Sequence, residues 1–369
     1  MMKRPYLDEV QWARALAIFA VLIVHSTSAG IVGTAGFSLA NYGYNFLNSA
    51  AKIGTSTFIF LSSFILFYSY YPRTLTKSLF VNFYKNRLLY ILVPYVVFSI
   101  IYFWFKQNLA PSGLPPAELL ALFLQQLATG NAQYHLYFVF VSVQFYLMFP
   151  VFLYLFKRFE WLRKWAIPIG ILLQWGWVLA NMHIFQIWGK GSISLSYFMF
   201  YFLGAFLGIY YEQFRSWLKS PNSRMVLVGI GLVYVTMTLG YFYVTVASRL
   251  GTAFFPTWVS ELTWSTMAYT AGFLLFVIAH GLRRVTGKRI QAVLTEIGVV
   301  SFGIYLLHPL VLYYMETALP GGSPLVFHGW ILVTFLTIFF GSWLVVRLVY
   351  QFVPFSWILF GKGSKLKRK

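Results

Sequence analysis

Ten apolar runs follow one another through the 369 residues, each close to the twenty or so residues that a helix needs to cross the hydrocarbon of a bilayer. They cover roughly 10–29, 53–71, 88–105, 134–156, 165–183, 194–212, 225–246, 263–282, 297–316 and 326–350. In lipid every backbone polar group must be satisfied within the protein, so runs of this length fold as helices. The chain is therefore predicted to be all-α, a polytopic integral membrane protein with about ten transmembrane helices. Composition agrees: 59% of residues are hydrophobic, and 28 basic and 8 acidic side chains are too few to solvate a soluble body of this size. Pro- and Gly-rich stretches such as 110–116 and 320–324 punctuate the runs, and no long hydrophilic insertion or internal repeat interrupts them. We therefore expect one transmembrane domain over 1–369 that ends in a basic tail at 361–369. The first run lacks the small-residue cleavage site of a secretory signal peptide and is read as a span.

The bases orient the bundle. Lys3 and Arg4 precede the first span; Arg73, Lys77, Lys85 and Arg87 follow the second; Lys157, Arg158, Arg163 and Lys164 follow the fourth. Arg215, Lys219 and Arg224 follow the sixth, and Arg283, Arg284, Lys288 and Arg289 the eighth, while the tail holds Lys362, Lys365, Lys367, Arg368 and Lys369. The opposite loops carry only Lys52, Lys106, Lys190 and Arg249, with Arg14 and Arg347 inside spans. By the positive-inside rule both termini are cytoplasmic. The formal charge of +20 is thus mostly a topology signal, and no nucleic-acid partner is expected. Two outer loops have content of their own. Residues 115–128 read as an interfacial or re-entrant helix too short to span, and 30–51, rich in Gly, Ser and Asn, read as a loop lining an outer vestibule.

Ionisable side chains inside spans are costly and mark functional paths. Arg14 and His25 lie eleven residues apart on the first span, which brings them within roughly 20° of one helical face and separates them by about 16 Å along the axis. The plainer alternative has Arg14 snorkelling to headgroups and His25 bonding a neighbouring helix. His135, at the outer start of span four, and His308, in the outer half of span nine, lie at a depth comparable to His25, so three imidazoles can converge on one cavity. Histidine suits proton transfer because its unperturbed pKa lies near neutrality. His183, His280 and His328 sit near span ends and read as structural. Lys85 and Arg87, on the inner side just before span three, suit an anionic ligand or serve as topology anchors. Ser62, Ser63, Gly204 and Gly208 read as small residues that let helices approach. With no cysteine and no ligand spacing among the histidines, no bound metal and no bound cofactor are expected.

Five segments in order resemble the membrane-bound acyltransferase family 3. They are Arg14-x10-His25; FIFLSSF in span two; FYKNRLLYILVPY before and within span three; YHLYFVFVSVQFYLMFPVF in span four; and SFGIYLLHPLVL in span nine. The glycine segment YFLGAFLGIYYEQ and the IYLLHP of span nine look most like the branch containing the acyltransferase of the polysaccharide intercellular adhesin. The chain departs from the family pattern at three points: Asp8 stands six residues before Arg14 instead of three, Ser63 replaces a Gly, and Tyr90 replaces a second Arg.

The resemblance implies a membrane O-acyltransferase that moves an acetyl or succinyl group from cytoplasmic acyl-CoA to a hydroxyl of a cell-surface polysaccharide, an O-acetylation of the kind met in biofilm exopolysaccharides. It further implies a bacterial plasma membrane location, the surface glycan as partner, and a polysaccharide synthase complex or a second copy of the chain as candidate partners. Arg14, Lys85 and Arg87 would hold the donor. Arg14 and His25 would form the catalytic pair, with His25 as general base or acyl relay. His135, Tyr137, Gln144, Ser301, Tyr305 and His308 would orient acceptor and thioester. Two alternatives stay open: an exporter or flippase for a polysaccharide or lipid-linked sugar, and an acyltransferase acting on a small molecule or lipid.

Overall fold

A computed structural model describes residues 4–320 and 322–363. Of the residues discussed above, Lys3, Lys365, Lys367, Arg368 and Lys369 lie outside the described residues. Sixteen α-helices follow in order: α1 (Asp8–Val32), α2 (Leu39–Ala51), α3 (Gly54–Tyr70), α4 (Lys77–Arg87), α5 (Val93–Leu109), α6 (Pro116–Thr129), α7 (Tyr137–Arg158) and α8 (Glu160–Lys164) come first. They continue with α9 (Ala166–Ala180), α10 (Phe198–Ile209), α11 (Tyr211–Trp217), α12 (Pro221–Leu250), α13 (Thr257–Val285), α14 (Lys288–Thr317), α15 (Pro324–Phe352) and α16 (Trp357–Phe360). Among the described residues there are nine helices, or continuous helical stretches, long and apolar enough to cross a membrane. A tenth crossing results if the pair 194–209 and 211–217, bent by 84°, counts as one.

Two outer segments illustrate what sets local structure. The expected short helix is α6. Pro115 and Pro116 start it and Gly130, at φ +76°, stops it, since only glycine takes that left-handed conformation at little cost. The expected loop over 30–51 is corrected: residues 39–51 form α2, continuous with α3 except for a break at Lys52–Ile53. Ser38 caps α2 through the Asn41 N–H. The asparagines that suggested a loop recur at helical spacing, Asn41, Asn45 and Asn48, and all are buried. Asn48 Nδ2 donates to the Val24 carbonyl at 2.7 Å and Asn41 Nδ2 to the Ile31 carbonyl at 2.9 Å, so tertiary hydrogen bonds override a weak helix propensity.

Helix α1 sits centrally, packed on α2, α3, α13, α14 and α15. The most extensive helix–helix contact is α3 against α10, and it depends on small residues. A Cβ on Gly204 would collide with the Phe60 carbonyl and meet Phe64 N at 2.8 Å, while one on Gly208 would meet the Phe64 carbonyl at 2.6 Å. Ser63 Oγ donates to the Tyr201 carbonyl at 2.6 Å across the same seam. Gly298 likewise lets α14 lie against the backbone of Gln11 on α1.

The long-range contacts sort the bases by end. Arg4, Arg73, Arg87 and Lys362 border one cavity, so the start of the chain, the α3–α4 connection, α4 and the described end of the chain meet at the same end of the bundle. At the opposite end Lys52 reaches Tyr241 Oη at 3.4 Å, Arg249 reaches Asn45 Oδ1 at 2.5 Å and Lys190 pairs with Glu261 at 2.6 Å.

Candidate active site

The site has two parts, stacked along α1. At the basic end a cavity of about 620 Å³ opens between α1, α3, α4, α7 and α14. Among the described residues five cations border it, Arg4, Arg14, Arg73, Arg87 and Lys362, and none of the chain's eight acidic side chains does. Opposite charges normally compensate one another where cations cluster away from bulk water, so a lining of this kind calls for an anionic ligand with several charges. Arg14, the cation that α1 contributes, has no carboxylate within 4.0 Å among the described residues. Arg87 lies over the rings of Tyr146 (4.9 Å) and Phe83 (5.5 Å), and its Nε is buried without a hydrogen-bond partner. Arg4 is held by the Gly208 carbonyl at 3.0 Å and lies over the Tyr68 ring at 4.8 Å.

Further out along α1 the three imidazoles converge. The ring centroids of His25 and His308 are 5.1 Å apart and those of His135 and His308 5.4 Å. Tyrosines close the cluster: Tyr134 lies 5.0 Å from His25, Tyr102 5.2 Å from His135, and Tyr305 5.3 Å from His135. His135 and His308 are buried, whereas His25 keeps partial exposure and contacts Tyr134, itself half exposed at 49%. His25 is therefore the most exposed member of the cluster.

The sequence LLHPL explains the state of His308. Pro309 has no N–H, so it cannot donate to the carbonyl four residues back, that of Tyr305. His308 Nδ1 makes that bond instead, at 2.7 Å. A carbonyl only accepts, so Nδ1 carries the proton and Nε2 is left as an acceptor. Nε2 is buried and has no hydrogen-bond partner among the described residues. Both ring nitrogens of His135 are likewise buried and unpartnered. Buried polar atoms without partners are uncommon and call for an explanation.

The residues singled out from the sequence separate into groups. Arg14, Arg87, Ser301 and Tyr305 line the cavity, and His25, His135 and His308 form the cluster, with Tyr305 bridging the two. Lys85 does not line the cavity and is exposed: two positions on a helix differ by about 200°, so Lys85 and Arg87 leave α4 on opposite faces. Gln144 is engaged elsewhere, donating to the Ser192 carbonyl at 2.7 Å and accepting from the Ser194 N–H at 2.9 Å, which fixes the outer loop before α10. Tyr137 donates to Thr55 Oγ1 at 3.4 Å. Five contributors were not found by sequence reasoning. Arg4, Arg73 and Lys362 carry no local signal beyond charge, and Tyr102 and Tyr134 are two among the chain's many aromatics. Among the described residues no group of three His, Cys, Asp or Glu side chains is placed to hold a metal ion.

The structure is thus a helical membrane bundle with a cation-lined cavity at one end and an imidazole cluster further along α1. The acyltransferase-3 family, described as an acyltransferase domain, matches residues 6–347, and the chain belongs to that family. It is a multi-pass membrane acyltransferase. Relatives include proteins named "Probable poly-beta-1,6-N-acetyl-D-glucosamine export protein" from Staphylococcus aureus strains MSSA476, MRSA252 and Mu50. Each is 22% identical over 323 residues, which cover 83% of this chain and 83% of the relative. No solved structure matches the chain significantly.

Proposed function

We propose that this acyltransferase takes an acetyl or succinyl group from cytoplasmic acyl-CoA and places it on a hydroxyl of a cell-surface polysaccharide outside the plasma membrane. One observation carries the reading: Arg14, in a cavity bordered among the described residues by five cations and no carboxylate, lies on the same face of α1 as His25 and about 16 Å along the axis from it, and His25 belongs to a cluster of imidazoles with unpartnered nitrogens. The phosphates of a CoA donor match the cations, with Arg14 and Arg87 best placed to hold them, and its long thiol-bearing arm covers the distance from phosphate to thioester. In the transfer, His25 takes the proton of the sugar hydroxyl as its oxygen attacks the thioester carbonyl. The new C–O bond forms, the C–S bond breaks, and the departing thiolate receives the proton from His25. If His25 acts first as nucleophile, its nitrogen carries the acyl group, the thiol leaves in that step, and the hydroxyl displaces the imidazole in the next. His308 and His135 surround the reacting imidazole with further acceptors.

A second reading is export of the glycan itself, which is what the staphylococcal relatives are named for. The two separate on a reaction: purified protein is incubated with radiolabelled acetyl-CoA or succinyl-CoA and β-1,6-linked N-acetylglucosamine oligosaccharides. Acyl transfer predicts thiol release that depends on both substrates, with label appearing in an alkali-labile ester on the sugar. Thioester that stays intact with every glycan offered would leave the exporter.

A further inference from the structure

The donor cavity and the imidazole cluster do not communicate: three aromatic rings lie between them. Phe58 of α3, Phe138 of α7 and Tyr305 of α14 are the outermost residues that these helices contribute to the cavity wall, and none of the three clustered histidines lines the cavity. The rings form a continuous layer, with Phe58 5.9 Å from Phe138 and Phe138 edge-on to Tyr305 at 5.2 Å. All three are buried. On the far side the Tyr305 ring lies 5.3 Å from His135 and 5.8 Å from His308. In this arrangement a thioester held by the cations cannot reach His25.

We infer that Phe58, Phe138 and Tyr305 form a gate between the two half-sites, opened by the acylated arm of the donor, and that Phe138 limits the size of the acyl group that passes. The inference rests on the proposed donor and deepens that reading. Both sides of the gate adjoin interruptions in the regular helical hydrogen bonding. Phe138 lies in the first turn of α7, whose N-terminal amides bond only to the turn formed by His135 and Leu136. Tyr305 lies where Pro309 removes a helical hydrogen bond from α14. One latch joins them: the Tyr305 hydroxyl donates to the His135 carbonyl, three residues before Phe138. Breaking that bond leaves only ring contacts between the start of α7 and this part of α14. A closed layer also has a physical purpose, because a polar path open to both faces at once would conduct protons and ions across the membrane.

The chain has no cysteine, so single thiols report access. Ser62→Cys, on the cavity side, and His25→Cys, beyond the gate, are to be treated with a charged, membrane-impermeant methanethiosulfonate from either face of sealed membrane vesicles. Ser62→Cys is expected to react from the inner face only, and His25→Cys not from the inner face. Adding Phe138→Ala to His25→Cys is expected to raise its inner-face labelling rate at least tenfold, and Phe58→Ala serves the same purpose if that protein does not fold. Tyr305→Phe, which removes only the latch, is expected to raise it by a smaller factor. With His25 intact, Phe138→Ala should raise the rate with hexanoyl-CoA relative to acetyl-CoA at least tenfold. Inner-face labelling of His25→Cys with the gate intact, or labelling unchanged in folded gate variants, would overturn the gate. The labelling does not depend on acyl transfer: gated labelling without transfer would sink the proposed function alone, and ungated labelling with transfer would sink the gate alone.

Discussion

Purified protein carrying His25→Gln is expected to consume acyl-CoA in the presence of acceptor about 10² to 10⁴ times more slowly than the unsubstituted chain, the usual contribution of a positioned general base. Glutamine keeps the polarity and approximate size of the imidazole in its contacts with Tyr134 (5.0 Å) and His308 (5.1 Å), so packing is preserved and only proton uptake is lost. His25→Ala should lose at least as much. Donor affinity should be unchanged in both, because His25 does not line the cavity that holds the donor's charge. Following thiol release with a chromogenic reagent gives the rate. A His25→Gln protein within threefold of the parent rate would remove His25 from the chemistry.

The second large effect concerns the donor. Arg14→Ala and Arg87→Ala are each expected to weaken acyl-CoA binding roughly ten- to a hundredfold, equivalent to the 1.5–3 kcal/mol of a charge-assisted hydrogen bond. Neither change removes a carboxylate's partner, since no acidic residue borders the cavity, so folding and expression should be largely maintained. Lys85→Ala supplies the contrast: exposed on the other face of α4 and absent from the cavity wall, Lys85 should be replaceable without loss of donor affinity. Titration calorimetry with a non-hydrolysable acyl-CoA thioether in detergent measures all three. Equal losses from Lys85 and Arg87 would indicate a diffuse electrostatic attraction in place of a built phosphate site.

What the sequence made legible follows from what helical periodicity can express. Arg14 and His25 lie on one helix, so their spacing alone places them on one face. His308 was legible through its depth in span nine; that its ring binds the carbonyl which the following proline leaves free appeared only in the structure. The convergence of His135 with the other two follows from depth once the positive-inside rule has fixed the direction of each span. The remainder was written in contacts between distant segments. Lys362 and Arg4 join Arg73 and Arg87 at the cavity only when the start and end of the chain meet. Helix α2 was hidden because its asparagines resemble loop residues until α1 offers carbonyls to them. Glu9 passed unnoticed beside Asp8, yet it is buried, accepting from the Tyr211 hydroxyl at 2.6 Å with His280 at 3.6 Å, and so ties the start of α1 to α11 and α13. Lys85 and Arg87 looked equivalent because charge and nearness in sequence do not reveal which helix face a side chain leaves.

The most direct test is NMR of the surface polysaccharide from cells lacking this chain, scored for both the amount of polymer and its ester content. Acyl transfer predicts polymer present at the surface in near-normal amount but without its O-acyl groups, with esters restored by the unsubstituted chain and not by His25→Gln. Polymer missing from the surface, with normal esterification of whatever remains, would contradict acyl transfer and assign the chain to export.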